Sequence, residues 1–142
     1  MKIAIGSDHA GFELKQEIIA YLKLKNISIT DKGCYSLDRA DYPDAAHAVA
    51  IAVINKEVTF GILMCGSGNG INMTANKHSG IRSALCWNSE IAALARQHND
   101  ANILTLPARY INFEEAVKCL DAFLNEQFEG GRHLDRIKKI DC

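Results

Sequence analysis

Hydrophobic positions along the chain alternate between two rhythms. Five short runs read as β-strands: "KIAIGS" (2–7), "ISITDKG" (27–33), "FGILMC" (60–65), "IRSALC" (81–86) and "NILTL" (102–106). Between them the apolar spacing lengthens to three or four residues. Phe12, Leu14, Ile18, Ile19, Leu22 and Leu24 mark one face of a helix over 11–25. Further helices are predicted in "PDAAHAVAIAVIN", with a proline at its start, in "GINMTANKH", in "NSEIAALARQH" with Asn88 or Ser89 as cap, and in "NFEEAVKCLDAFLNEQF" capped by Asn112.

Strands that alternate with helices need crossover connections, which predicts a parallel sheet covered on both faces. The expected fold is a three-layer α/β/α, Rossmann-like domain with five parallel strands. Ligands of such sheets sit beyond the carboxyl ends of the strands, near a reversal in strand order. That rule selects Ser7–Asp8–His9, Cys65–Gly70 and Cys86–Asn88, and the long "CYSLDRADYPD" segment (34–44) reads as a site loop. Residues 1–142 form one expected domain. Its tail, 130–142, carries an apolar stripe of Leu134, Ile137 and Ile140 after a double glycine. A helix that short is poorly stable alone, so it is expected to dock, on a neighbouring subunit.

The totals narrow the functional classes. A chain of 142 residues with 48% hydrophobic content suits one core. The formal charge of −1 argues against nucleic acid or an anionic membrane as partner, since both demand concentrated Lys and Arg. No stretch approaches a membrane span or a signal-peptide core, so a cytoplasmic location is expected. The five cysteines are odd in number and widely spaced, which fits reduced thiols better than disulfides or a zinc site, and no metal is expected.

Candidate chemistry centres on "LMCGSGNGIN" (63–72). Gly66, Gly68 and Gly70 let the backbone turn its N–H groups inward where a helix begins, which suits an anion. A tight turn without a ligand is the plainer alternative. A dinucleotide fingerprint fails, because the glycines follow the third strand and are spaced Gly-x-Gly-x-Gly. A nucleotide P-loop lacks its Gly-Lys-Ser/Thr, and a cysteine phosphatase loop lacks its arginine, since Ile71 stands six residues past Cys65. Proton transfer remains: a thiol among inward N–H groups can serve as a base beside an oxyanion hole. The structural alternative for Cys65 is a small buried hydrophobe. Asp8 and His9 add polar groups at the expected edge, His98, Asn99 and Asp100 lie between the fourth helix and the fifth strand and could converge with the thiol, and Arg109, Arg132 and Arg136 could hold a phosphate. His47 and His78 receive no role. A thiol redox sensor would pair Cys65 with Cys86.

These residues also resemble a known family. "IAIGSDHAGFELK", "DYPDAA", "GILMCGSGNGINMTANK", "GIR", "RQHNDANIL" and "FEGGRHLDRI" are similar in order to the type B ribose-5-phosphate isomerases, whose relatives include galactose-6-phosphate and allose-6-phosphate isomerases. The resemblance implies interconversion of ribose 5-phosphate and ribulose 5-phosphate through a cis-enediolate, without a cofactor. It implies that Cys65 is the base, that Ser67 and the amides of Gly66, Gly68, Asn69 and Gly70 stabilise the enediolate, and that His98 is the acid that opens the sugar ring. Asp8, His9 and Tyr42 would hold the sugar, Asn99 the enediolate side, and Arg109, Arg132 and Arg136 the phosphate. It further implies a homodimer or tetramer in which a neighbour supplies the His-Asn segment. Ser67 departs from a threonine common in the family but keeps the hydroxyl. The rivals are a hexose-6-phosphate isomerase and a non-catalytic phosphate- or nucleotide-binding module.

Overall fold

The computed structural model describes residues 1–142. Its strands are β1 (Lys2–Ser7), β2 (Ser28–Asp31), β3 (Phe60–Cys65), β4 (Ser83–Leu85) and β5 (Ile103–Pro107). The helices are α1 (Phe12–Leu24), α2 (Tyr42–Ile54), α3 (Asn69–Ala75), α4 (Ser89–Asn99), α5 (Phe113–Asn125) and α6 (Arg132–Ile137). All strand pairs are parallel, in the order β2-β1-β3-β5-β4. The fold is the α/β arrangement that the alternating rhythm predicts. Asn88 and Asn112 cap α4 and α5, accepting from Ile91 N at 2.9 Å and Glu115 N at 2.8 Å. Strand β2 and the edge strand β4 are shorter than expected, and a 3₁₀ turn at His9–Gly11, unforeseen from the pattern, precedes α1.

Strict alternation along the central strands builds two cores. Ile3, Ile5, Ile62, Met64, Leu104 and Leu106 face α1, α4 and α5. Ala4, Leu63, Cys65 and Ile103 face the other side, against Ala45, Ala46, Val49 and Ala50 of α2 and Ile71 and Ala75 of α3. The small side chains of α2 let it lie close over β1 and β3. After β1 the chain goes to one face, and after β3 it goes to the other. A crevice therefore opens between the carboxyl ends of β1 and β3, where the strand order reverses.

One buried cation organises this edge. Lys15 of α1 has no exposed surface, yet its ammonium meets Asp31 Oδ1 at 2.6 Å and donates to the Cys34 carbonyl. Asp31 also accepts from Gly33 N at 2.9 Å. The turn thus formed is stitched to the end of β1: Ser7 N donates to Gly33 O at 2.6 Å and Cys34 N to Ser7 O at 2.7 Å. The rings of Phe12 and Tyr35 lie 5.6 and 5.4 Å from the ammonium. Removing the cation leaves a carboxylate and a carbonyl without their donor. Lys15→Met is expected to cost about 3 kcal/mol, the low end for a broken buried pair because Asp31 stays partly open to water. Thermal unfolding should show a midpoint lowered by roughly 10 °C; an unchanged midpoint would remove Lys15 from this role.

Candidate active site

The loop after β3 begins with a thiol on the α2 and α3 side of the sheet. Cys65 is 4% exposed and belongs to the smaller of the two cores. Its carbonyl accepts from Ala108 N and that of Gly66 from Arg109 N, both at 2.9 Å, which ties the loop after β5 to the loop after β3. Arg109 consequently lies over Gly66, where a Cβ would stand 3.4 Å from its Nη1. Gly68 has φ +78°, the left-handed turn that starts α3, and Gly70 lies so close under the Tyr42 ring that a Cβ would come within 2.5 Å of it. Ser67 is exposed, and its hydroxyl accepts from Asn69 N at 3.3 Å, leaving its hydrogen available to a ligand.

Across the crevice, Asp8 is 7% exposed and accepts from Gly11 N at 3.1 Å, which fixes the 3₁₀ turn. Beside it, His9 Nδ1 lies 3.2 Å from both the Ala40 amide and the Ala40 carbonyl, anchoring the 32–41 segment at this edge. Ser7, Gly33, Cys34, Tyr35, Asp41 and Asp44 are among the residues lining an adjoining cleft of about 220 Å³. Cys65, Ser67, the glycine loop, Asp8, His9, Tyr42 and Arg109 therefore share one edge of the sheet.

His98 and Asn99 do not. They end α4, which runs back from the carboxyl edge, so they stand where β5 begins. The thickness of the sheet along a six-residue strand separates them from Cys65, roughly 17 Å. Within one chain, then, His98, Asn99 and Asp100 do not meet the thiol. Asp100 is structural: it caps α4 in a left-handed conformation and pairs with Arg96 at 2.8 Å and Arg82 at 3.1 Å. Arg82 also donates to Asn99 O at 2.9 Å, holding the turn rigidly.

At this second edge the tail folds back on its own chain. His98, Asn99, His133, Arg136, Ile137 and Ile140 line a pocket of about 370 Å³. Arg132 is exposed at the start of α6, and its charge reaches His133. The rings of His98 and His133 stack with centroids 4.3 Å apart and planes 12° apart. Glu129 Oε2 stands 3.9 Å from His98 Nε2 and 3.6 Å from His133 Nε2. His133 and Glu129 escape a reading of spacing alone. The available signal is the double glycine, since Gly130 and Gly131 both take positive φ and reverse the chain onto α4.

The Cys65–Cys86 redox pairing does not fit the structure. Cys86 lies in the opposite core, with β5 between β3 and β4, and burial pushes its thiol up to about 12. It is neither exposed nor readily ionised, so it is unsuited to act as a resolving thiol.

Residues 3–140 match the family described as Ribose/Galactose Isomerase. The chain belongs to this family. Ribose-5-phosphate isomerase B of Escherichia coli is 48% identical over 139 residues, covering 98% of this chain and 93% of that protein. The fold coincides with the crystal structure of a ribose 5-phosphate isomerase from Thermotoga maritima, with a TM-score of 0.98 and 51% identity over 99% of this chain and 97% of that one. A Mycoplasma genitalium ribose-5-phosphate isomerase B solved with bound ribulose 5-phosphate gives 0.92 and 46% identity, covering 98% of this chain and 93% of that one.

Burial holds the His133 imidazole below the usual histidine range, and the charges of His98, Arg132 and Arg136 act in the same direction while Glu129 opposes them. A lowered value in the fold means that the unfolded chain takes up the proton first. The stability contributed by neutral His133 is therefore complete above about pH 6.5 and is lost as pH falls below it. Unfolding midpoints measured from pH 7 to 5 should fall less steeply for His133→Phe than for the unmodified chain; equal slopes would show that His133 does not carry this dependence.

Proposed function

We propose that this chain interconverts D-ribose 5-phosphate and D-ribulose 5-phosphate through a cis-enediolate, and that each site is assembled from two copies of the chain. The observation that carries the reading is the Cys65 thiol at the mouth of the 66–70 loop, in a chain 46% identical to a relative crystallised with ribulose 5-phosphate. In the proposed reaction the Cys65 thiolate removes the proton on C2 of the open aldose. The electron pair of that C–H bond forms the C1–C2 double bond, and the carbonyl oxygen becomes an oxyanion among the loop amides and the Ser67 hydroxyl. A proton then passes from O2 to O1, and the Cys65 S–H, which exchanges with solvent while the enediolate lasts, delivers a proton to C1. Two electrons move within the substrate, so no oxidant or cofactor is consumed.

Asp8, His9 and Tyr42 hold the sugar in this reading, and Arg109 meets the phosphate from the same copy. A second copy brings His98 as the acid that opens the furanose ring, Asn99 beside the enediolate, and Arg132 and Arg136 on the phosphate. The separation of the two edges supports that division. Exposed apolar side chains at Trp87, Tyr110, Leu134 and Ile140 support an interface between copies, with the tail contributing to it. Hexose 6-phosphates would follow the same chemistry, but the relatives named for ribose 5-phosphate favour the pentose. No helix is long and apolar enough to cross a membrane, and five unpaired cysteines support a reducing compartment, the cytoplasm.

Incubating the chain with ribose 5-phosphate in deuterated water, without added metal, should yield ribulose 5-phosphate carrying deuterium at C1. Cys65→Ala should slow both turnover and exchange by at least about 100-fold while sugar phosphate affinity stays within about threefold. A fully active Cys65→Ala variant would remove the thiol from the reaction.

A further inference from the structure

The tail places a second imidazole on His98, and the proposed function leaves it without a task. His98 is 39% exposed at the end of a helix, where an unsupported ring would turn freely about its outer torsion. His133 removes that freedom. It is 7% exposed, its N–H is bonded to Gly130 O at 3.1 Å, and its ring lies flat on that of His98. The segment that carries it is laced to α4 by Glu129 N on Gln97 O at 3.0 Å and by Gln97 Nε2 on Glu126 Oε2 at 2.7 Å. The Glu129 carboxylate then borders the Nε2 edges of both rings.

The geometry points to His133 as the positioning residue of His98: its stacked ring, with the Glu129 carboxylate at the shared edge, fixes the imidazole that opens the sugar ring. This rests on the assignment of ring opening to His98. Proton donation to a ring oxygen needs the donor within hydrogen-bond reach and aligned, and small displacements are costly. A neutral His133 can lie against His98 whether or not His98 carries a proton, so the support survives the transfer. The same three side chains are poorly arranged for a metal ion. Nearly parallel stacked rings keep their nitrogen lone pairs in separate parallel planes, which disfavours convergence on one ion, and the charges of Arg132 and Arg136 act on His133.

The two substrates separate this role from a merely structural one. Ribose 5-phosphate exists as a furanose and must be opened. Ribulose 5-phosphate, with O5 esterified, cannot close to a furanose and enters as the open ketone. Exchange of its C1 hydrogen with deuterated water thus needs Cys65 and the loop but no ring opening. Using the full-length chain, His133→Ala is expected to lower kcat for ribose 5-phosphate by about 10- to 100-fold, while the C1 exchange rate of ribulose 5-phosphate stays within about twofold. His133→Phe, which keeps the stack, should recover most of the lost kcat. The inference is overturned if His133→Ala leaves kcat within twofold, if it lowers turnover and exchange equally, or if phenylalanine is no better than alanine. Absence of both turnover and exchange in the unmodified chain would instead refute the isomerase reading and take this inference with it.

Discussion

Every strand of the sheet runs the same way, and that single direction governs where the chemistry can be. A parallel sheet sends all its strand-ending loops to one edge and all its returning helices to the other. The thiol, the glycine loop, Asp8, His9, Tyr42 and Arg109 follow strands or precede helices, so they gather at the carboxyl edge. His98, Asn99, Arg132 and Arg136 end a helix or belong to the tail, so they gather at the other. No side chain spans the roughly 17 Å between them. In the proposed reaction the two edges serve as half-sites, which a second copy of the chain would unite.

Each edge is stiffened by its own buried cation. At the carboxyl edge Lys15 binds Asp31 and the Cys34 carbonyl, which braces β1 where it delivers Asp8 and His9. At the amino edge Arg96, 8% exposed and lying over the rings of Phe60 and Phe123, pairs with Asp100, while Arg82 holds the carbonyls of Asn99 and Asp100. Preorganisation of this kind suits the proposed isomerisation, in which fixed dipoles and aligned proton donors stabilise the enediolate.

Much of the fold was legible in residue order because the signals are local. Ile3, Ile5, Ile62 and Met64 alternate as half of a two-faced sheet demands, Asn88 and Asn112 cap the helices they precede, and the glycines at 66, 68 and 70 mark the turn from strand to helix. The edge strand β4 was harder to delimit, since three partly buried residues leave little pattern. Strand order and the separation of His98 from Cys65 are properties of topology, which spacing does not record. The stacking of His133 on His98 depends on a reversal at Gly130 and Gly131 that brings residues 35 positions apart face to face. The likeness in six motifs supplied the functional reading that local chemistry had left open among a base, an anion cradle and a redox thiol.

The central claim is that one copy supplies the thiol and another the imidazole, and subunit mixing tests it most directly. Cys65→Ala and His98→Ala chains should each be nearly inactive alone. Unfolded together and refolded as an equal mixture, they should regain about a quarter of the unmodified activity, because half of random dimers are mixed and one of their two sites is intact. Activity no greater than the sum of the separate variants, with mixed dimers verified, would contradict the shared site.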